Sequence, residues 1–248
     1  MKLYVFMLFY LLQVGTIIQL ALSVTCPEDN RVKMGVEDAN CDDANTNLTM
    51  DWDGSAVNYT CYSTVPFEIN LDIKTLIEHD TIPNPECYMP PHYCMNIKVD
   101  YPNMLPTYQG HRPLWAVFGE YYFVPPQRWL HNVEHGSIVM LYHPCANPIM
   151  VNKLRKLVTG CIRKHVIARD SMRLTEERPL ALIAWGVRMT MNFVDTSEVI
   201  PFIMKYALRG PEAHYSKEGQ YSHELIRKAA IPFGSTYDDS KLCPFVYI

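Results

Sequence analysis

The sequence predicts an α+β fold: a small mixed or antiparallel sheet with two to four helices, plus a disulfide-rich N-terminal extension. The composition, 48% hydrophobic and 19% charged, is typical of a globular protein. From about residue 108, apolar and amphipathic runs follow one another in the order strand, helix, strand, strand, helix, which favours α+β. Eight cysteines, the first of them Cys26, predict a framework of disulfides.

Residues 1–23 are expected to be a secretory signal peptide. Lys2 supplies the positive start, Leu3 to Leu22 the apolar stretch, and Ala21-Leu22-Ser23 a cleavage site of the small-x-small type. Two glutamines interrupt the apolar stretch, which disfavours a permanent membrane span. We therefore expect a secreted, extracellular protein. The alternative is a protein that stays membrane-anchored through an uncleaved N-terminal segment.

Residues 24–97 are expected to form a cysteine-rich, glycosylated extension and connector. Two sequons, at Asn47 and Asn58, predict glycosylation of an exposed segment. Residues 67–79 fit a strand or a short helix equally well. Prolines recur throughout residues 83–106 and exclude long regular elements there. The remainder, residues 98–248, is predicted to be the α+β core with a C-terminal tail.

The cysteines are expected to be oxidised. An even number of cysteines in a secreted chain indicates disulfides, and eight cysteines allow 105 pairings that the sequence alone cannot sort. Cys87 and Cys94 are close enough in the chain to form a local staple. No Cys-x-x-Cys occurs, so neither a redox pair nor a zinc knuckle is indicated. The expected disulfide cysteines are Cys26, Cys41, Cys61, Cys87, Cys94, Cys145, Cys161 and Cys243.

The first half of the core is predicted to be strand, helix and strand. Residues 115–124 are aromatic and apolar, which is typical of a strand. A prolyl pair then precedes a helix over residues 127–135, since proline is tolerated in the first helical turn. Gly136 is a natural C-terminal stop for that helix. Residues 138–142 form an apolar run and predict a buried strand.

The second half of the core is predicted to contain two more helices and two more strands. Residues 147–159 have apolar positions at helical spacing with basic residues between them. Residues 165–168 and 180–185 are short apolar runs that predict strands. A last helix is expected over residues 197–208, with Ser197 as its N-cap.

Two histidines and a glutamate, all side chains that can bind metal or transfer protons, occur close together in the run His131-Asn132-Val133-Glu134-His135-Gly136. On a short helix, His131 and His135 lie one turn apart on the same face, where zinc or copper accepts two imidazoles. Glu134 is a candidate catalytic residue because it can contact a metal-bound water. The spacing also matches the inverzincin motif His-x-x-Glu-His, with Glu212 as an acidic ligand from downstream. A helix that ends at once in glycine disfavours that enzyme class.

Among the other histidines, His111 is the expected third metal ligand, because it lies in a turn beside a glycine. His143, at the end of a strand, is a weaker candidate. The remaining five are expected to be ordinary surface or loop residues: His79, His92, His165, His214 and His223.

A structural interpretation of the same run stays open. His131 and His135 can cap carbonyls near the helix C-terminus, where a positive ring is favoured. Glu134 can then pair with Arg128 or Arg112. In this second hypothesis the chain is a non-enzymatic extracellular interaction or regulatory protein, and the run ties helix to strand.

Several functions lack any support in the sequence. A net charge of −4 implies no basic face, so nucleic acid is not an expected partner. The chain has no Gly-x-Ser-x-Gly elbow, phosphate-binding loop or dinucleotide fingerprint, so nothing supports a serine hydrolase, a kinase or a dehydrogenase. The expected partner is an extracellular protein or small ligand, and a membrane only if the leader is uncleaved.

Ordered motifs spread along the core resemble domain-of-unknown-function family 3105. They are Tyr108 to Pro113, Trp115-Ala116, Gly119-Glu120-Tyr121, Leu130 to Gly136, Tyr142-His143-Pro144, Ala184-Trp185-Gly186 and Gly210-Pro211-Glu212. The likeness covers residues 98–234, and within the family it is similar to the animal branch around the p53-inducible protein thirteen. The first hundred residues look like an animal elaboration of the shared core. The resemblance implies a common site and brings no established catalytic activity.

Overall fold

A computed structural model describes Cys26 and residues 31–247. Within that part of the chain, three α-helices pack on one seven-stranded mixed sheet, so the predicted α+β fold is confirmed. The predicted signal peptide, residues 1–23, lies outside the described residues. Among the helices of the described residues, none is long and apolar enough to cross a membrane.

The sheet has strand order β1-β6-β5-β3-β4-β2-β7. The strands are β1 (Leu76–His79), β2 (Gly119–Tyr121), β3 (Ile138–Tyr142), β4 (His165–Arg169), β5 (Leu180–Ala184), β6 (Val187–Met191) and β7 (Leu225–Lys228). The helices are α1 (Pro126–Glu134), α2 (Pro148–Cys161) and α3 (Thr196–Tyr206). Strand β4 pairs in parallel with β2 and β3, and the other pairs are antiparallel.

The core lies on both faces of the central strands. In β3, Met140 faces one apolar cluster that contains α2 and α3, while Val139 and Leu141 face another that contains α1. All five β3 residues are buried, because a strand covered on both faces needs no polar side. This arrangement seats α1 firmly against the sheet, and α1 carries the candidate site.

The helix ends follow local capping chemistry, with one correction. The Asn147 side chain accepts a hydrogen bond from the Ile149 backbone N–H and caps α2. The expectation that Ser197 caps the last helix is wrong. Asp195 is the cap: its carboxylate accepts hydrogen bonds from both the backbone N–H and the hydroxyl of Ser197, so the helix begins one residue earlier, at Thr196.

The predicted strand over residues 115–124 is reduced to Gly119–Tyr121. The Asn132 side chain on α1 takes both backbone groups of Ala116, and Ala116 makes only an isolated parallel bridge, to Tyr221. The strand β6 went unpredicted. It follows β5 through a tight turn in which Gly186 has a φ of 71°, a conformation that suits glycine.

Four disulfides join all eight cysteines: Cys26–Cys87, Cys41–Cys94, Cys61–Cys145 and Cys161–Cys243. The expected local staple between Cys87 and Cys94 is therefore wrong. The backbone N–H of Met95 donates to the carbonyl of Cys41, which places the residue 41 and residue 94 segments side by side instead. Strand β1, from the predicted extension, also joins the sheet through β6.

Candidate metal centre

Helix α1 supplies two side chains to a buried cluster. His131 and Glu134 are three residues apart, so they lie on one face of the helix, and both are fully buried. His111 comes from the loop that precedes the helix. His92 comes from the connector, where the Tyr93 N–H donates to the carbonyl of His111 and the His111 N–H donates to the carbonyl of Pro91. These backbone bonds bring His92 to His111.

Each of the three rings is oriented by a backbone carbonyl. The Nδ1 atom lies 2.8 Å from the Val32 carbonyl oxygen in His92, 2.8 Å from that of Gln109 in His111, and 2.6 Å from that of Arg112 in His131. Because a carbonyl oxygen only accepts hydrogen bonds, we assign the ring hydrogen to Nδ1 in all three. Each Nε2 then presents a lone pair, which is the usual arrangement of metal-bound histidines.

The free ring nitrogens converge on one carboxylate oxygen. The Nε2 atoms of the three histidines and Oε2 of Glu134 are buried and have no hydrogen-bond partner among the described residues. These four ligand atoms all lie within 4.8 Å of one another. Oε2 is 2.9 Å from Nε2 of His111 and 3.7 Å from Nε2 of His92. Four ligands about 2.0–2.1 Å from a tetrahedral zinc ion lie about 3.3 Å apart, a similar spacing.

The protonation states of the cluster residues favour a bound cation. Burial lowers the pKa of His111 and lowers that of His131 well below its ordinary value, so both rings are neutral at physiological pH. Burial opposes the charge of Glu134, and a positive charge between its carboxylate and the ring nitrogens of His111 and His92, either a proton or a metal ion, is what holds its pKa well below the usual range. A charged carboxylate and lone pairs at 2.9 Å repel each other unless a cation lies between them. These residues can therefore hold a metal ion.

A second, overlapping group contains His131, His135 and Glu212. Nε2 of His135 is 3.2 Å from Oε2 of Glu212. Arg31 donates to Oε1 of Glu134 at 2.9 Å and also to Oε1 of Glu212, so its guanidinium is the cation between the two carboxylates. The His131 ring has one lone pair, on Nε2, and can therefore bind only one metal ion. The two groups together therefore have room for one metal ion, with Arg31 beside it.

The predicted site residues fall into three places. His111 and His131 lie in the four-residue cluster, and Glu134, expected to contact a bound water, supplies one of the cluster's four ligand atoms. His135 lies next to the cluster, its ring centre 4.7 Å from that of His131. His143 lies elsewhere: its ring packs on Phe67, and its Nδ1 accepts from the backbone N–H of Cys145.

Two histidines expected to be ordinary surface residues are buried, so that expectation is wrong for His92 and His165. The alternative ion pairs of Glu134 are also wrong, because Arg112 pairs with Asp51 and Arg128 with Asp42. The partner that was missed is Arg31, 103 residues away in the chain. No local pattern around Arg31 or His92 signals a role, since each is recruited by a distant segment.

The rest of the histidine-rich run has a structural role. The Asn132 amide clamps both backbone groups of Ala116, with distances of 2.8 Å and 3.0 Å. Gly136 has a φ of 79° and turns the chain from α1 into β3. Its carbonyl accepts from the Leu208 N–H at 2.8 Å. Asn132 and Gly136 therefore connect helix, sheet and loop, as the structural interpretation of the run requires.

Comparison with protein-family models gives a match. The family model described as "Protein of unknown function (DUF3105)" matches residues 92–219. That range begins at His92 and includes His111, His131, Glu134 and Glu212. No curated protein and no solved structure matches the chain.

Proposed function

The chain belongs to the DUF3105 family of proteins of unknown function, and from this premise we propose that it is a secreted protein that binds one divalent metal ion. His92, His111, His131 and Glu134 are the proposed ligands. The observation that carries the proposal is that four buried atoms converge while lacking any hydrogen-bond partner in the described structure. Buried polar groups are otherwise paired in native proteins, so an ion explains all four at once.

Zinc is the metal that we propose for this site. Three imidazole nitrogens and one carboxylate oxygen are ligands that zinc and copper both accept. Copper(II) prefers a square-planar arrangement, whereas zinc prefers four ligands in a tetrahedron. We therefore propose zinc, with copper as the competing ion in the metal analysis below.

The proposed ion has a structural role. Four ligands from one chain complete the coordination of zinc, and a catalytic zinc keeps one position for water or substrate. The three ring nitrogens and the carboxylate oxygen are also buried. In this proposal Glu134 is a metal ligand in place of a catalytic acid or base. The ion then joins the connector at His92, the loop at His111 and helix α1.

The alternative is a non-enzymatic extracellular interaction or regulatory protein in which the run from His131 to Gly136 is purely structural. The clamp of Asn132 on Ala116 favours it. A proton on one of the facing histidines would then take the place of the metal ion. Metal content separates the two hypotheses directly.

Extracellular placement rests on the disulfides. Four of them favour an extracellular or secreted protein, since such bonds are rare in reducing compartments. We further propose membership of the animal branch of the family, because three of the disulfides involve the segment before residue 92, where the family match begins. Glycosylation at Asn47 and Asn58 belongs to the same proposal, and the exposure of Asn47 supports it.

Metal analysis of protein secreted by cultured cells, without a histidine tag, tests the proposal. We expect about one equivalent of zinc per chain. The variants His92→Ala and Glu134→Gln should each lose most of it, because each removes one of four ligands. His223→Ala is the matched control, since His223 is outside the cluster and partly exposed. A content below about a tenth of an equivalent of zinc, copper, iron or manganese, even after reconstitution, would overturn the proposal.

A further inference from the structure

A cleft that contains none of the cluster residues opens beside the end of β3. Its volume is about 440 Å³, within the range of small-ligand sites. Arg155 on α2 and Arg169 on β4 line it together with Tyr142. No aspartate or glutamate is among the described residues that line the cleft. The two guanidinium groups therefore give it a positive charge that its own walls do not cancel.

The carboxylate that pairs with Arg155 lies outside the cleft and is shared with a second arginine. Glu120 accepts from Arg155 at 2.9 Å through Oε1 and from Arg227 at 3.0 Å through Oε2, so one negative charge serves two positive ones. Arg169 has no carboxylate within ion-pair distance among the described residues, and its guanidinium lies 5.0 Å from the centre of the Tyr122 ring. A net positive charge therefore remains at the cleft.

The hydroxyl of Tyr142 adds a third donor. It accepts hydrogen bonds from Nε of Arg169 at 3.1 Å and from Nη2 of Arg155 at 3.5 Å. Its own hydrogen has no acceptor among the described residues. Tyr142 lines the cleft, so its hydroxyl hydrogen is placed where a ligand in the cleft can accept it. Two guanidinium groups and an O–H without an acceptor are the donors that bind an oxyanion.

The other wall of the cleft is apolar. Pro144, Pro148 and Val151 line it, close to the disulfide between Cys61 and Cys145. Such a wall suits the organic part of a ligand, while the arginines suit its charged end. The volume leaves room for a group larger than the anion alone.

We infer that this cleft binds a small ligand that carries a tetrahedral oxyanion, a phosphate or sulfate ester. The site is separate from the metal cluster and shares no residue with it. Arg155 and Arg169 hold the anion, and the Tyr142 hydroxyl donates a third hydrogen bond to it. The inference does not depend on the proposed metal.

Calorimetric titration of the full secreted protein with inorganic phosphate, and separately with inorganic sulfate, at constant ionic strength, tests the inference. We expect a Kd of about 1 mM or tighter for at least one of them. Binding of both supports recognition of the shared oxyanion, and binding of one alone identifies the ester class. Absence of heat with either anion up to about 20 mM, far above that Kd, would overturn the inference.

Two variants locate the binding. Arg169→Gln removes the arginine without a carboxylate partner and should weaken binding about tenfold or more. Asn152→Asp adds a carboxylate of nearly unchanged shape on the exposed face of α2, where Asn152 already accepts from Arg155, and should weaken binding as strongly without disturbing the fold. Arg209→Gln, at an exposed position outside the cleft, is the matched control. Equal weakening by the control, or unchanged binding in Asn152→Asp, would contradict the assignment.

Discussion

Each histidine of the buried cluster is oriented by its own hydrogen bond to a backbone carbonyl. The carbonyl fixes the ring orientation and directs the Nε2 lone pair toward the shared centre. At His111 this arrangement carries backbone strain, because Gln109, which provides the carbonyl, has a φ of 116°, outside the usual range for a residue with a side chain. Such strain persists where the surrounding structure requires it, as at binding sites.

His165 shows what happens to a ring that is buried in the same way without a cluster around it. Its Nδ1 lies 2.7 Å from the carbonyl oxygen of Ile162, and burial lowers its pKa to about 4. In the unfolded chain the pKa of this ring is near 6.5, so between pH 6.5 and pH 4 the unfolded chain binds a proton that the folded protein does not. The stability is therefore complete above pH 6.5 and falls as the pH drops toward 4.

We predict that His165 alone removes about 3 kcal/mol of stability between pH 6.5 and pH 4, because one pKa unit corresponds to about 1.4 kcal/mol. The variant His165→Asn keeps a donor for the Ile162 carbonyl but cannot take up the proton. Urea unfolding at several pH values should give the variant a shallower loss of free energy over this range. The other buried histidines contribute to both proteins and cancel in the difference. An identical pH dependence of the two proteins would contradict the prediction.

At the scale of elements, the end of α1 and the segment after α3 are joined backbone to backbone. The Leu208 N–H donates to the carbonyl of Gly136, and the Glu212 N–H donates to the carbonyl of Glu134. These bonds place Glu212 where it meets His135 and Arg31. A side chain at Gly136 would put its Cβ 2.7 Å from the Cα of Leu208, so the junction needs glycine for space as well as for conformation.

Gly136→Ala should therefore destabilise the protein more than a positive φ alone explains. Gly54 is a matched control, because it has the same φ of 79° and a Cβ added there would meet no atom within 4 Å. We expect Gly54→Ala to cost about 1 kcal/mol for its backbone conformation. Gly136→Ala should cost at least about 2 kcal/mol more, since backbone atoms must move apart. Chemical denaturation of both variants measures the difference. Equal losses in the free energy of unfolding would contradict the prediction.

Elements that depend on neighbouring residues could be predicted from the sequence, and those that depend on distant residues could not. The bounds of β3 agree with its apolar run, and α1 begins at the second proline of the predicted pair. His92 and Arg31 escaped prediction because their partners lie far along the chain, and a short-range pattern carries no information about them. The strand over residues 115–124 was overestimated for the same reason, since Asn132 decides what Ala116 can bond to.

At the scale of the whole molecule, the cluster lies where three parts of the chain meet. The N-terminal segment brings Arg31, the connector brings His92, and the core brings His111 and helix α1. The disulfides Cys26–Cys87 and Cys41–Cys94 restrain the same segments covalently. A bound ion would add a third restraint, at the point where the histidine ring nitrogens and the Glu134 carboxylate converge. Because the disulfides survive chelation, the contribution of the ion can be measured separately.

Removal of the metal should therefore lower stability without unfolding the chain. An ion present at about a thousand times its Kd stabilises the folded state by about 4 kcal/mol, which corresponds to roughly 8–16 °C in Tm for a chain of this size. Thermal unfolding with and without a strong chelator, the disulfides kept oxidised, measures this shift. Glu134→Gln, which lacks a ligand, should have the lower Tm already and show no response to chelator. A chelator that strips the metal completely while leaving the wild-type Tm unchanged would contradict a structural role, because an ion bound only to the folded state must stabilise it.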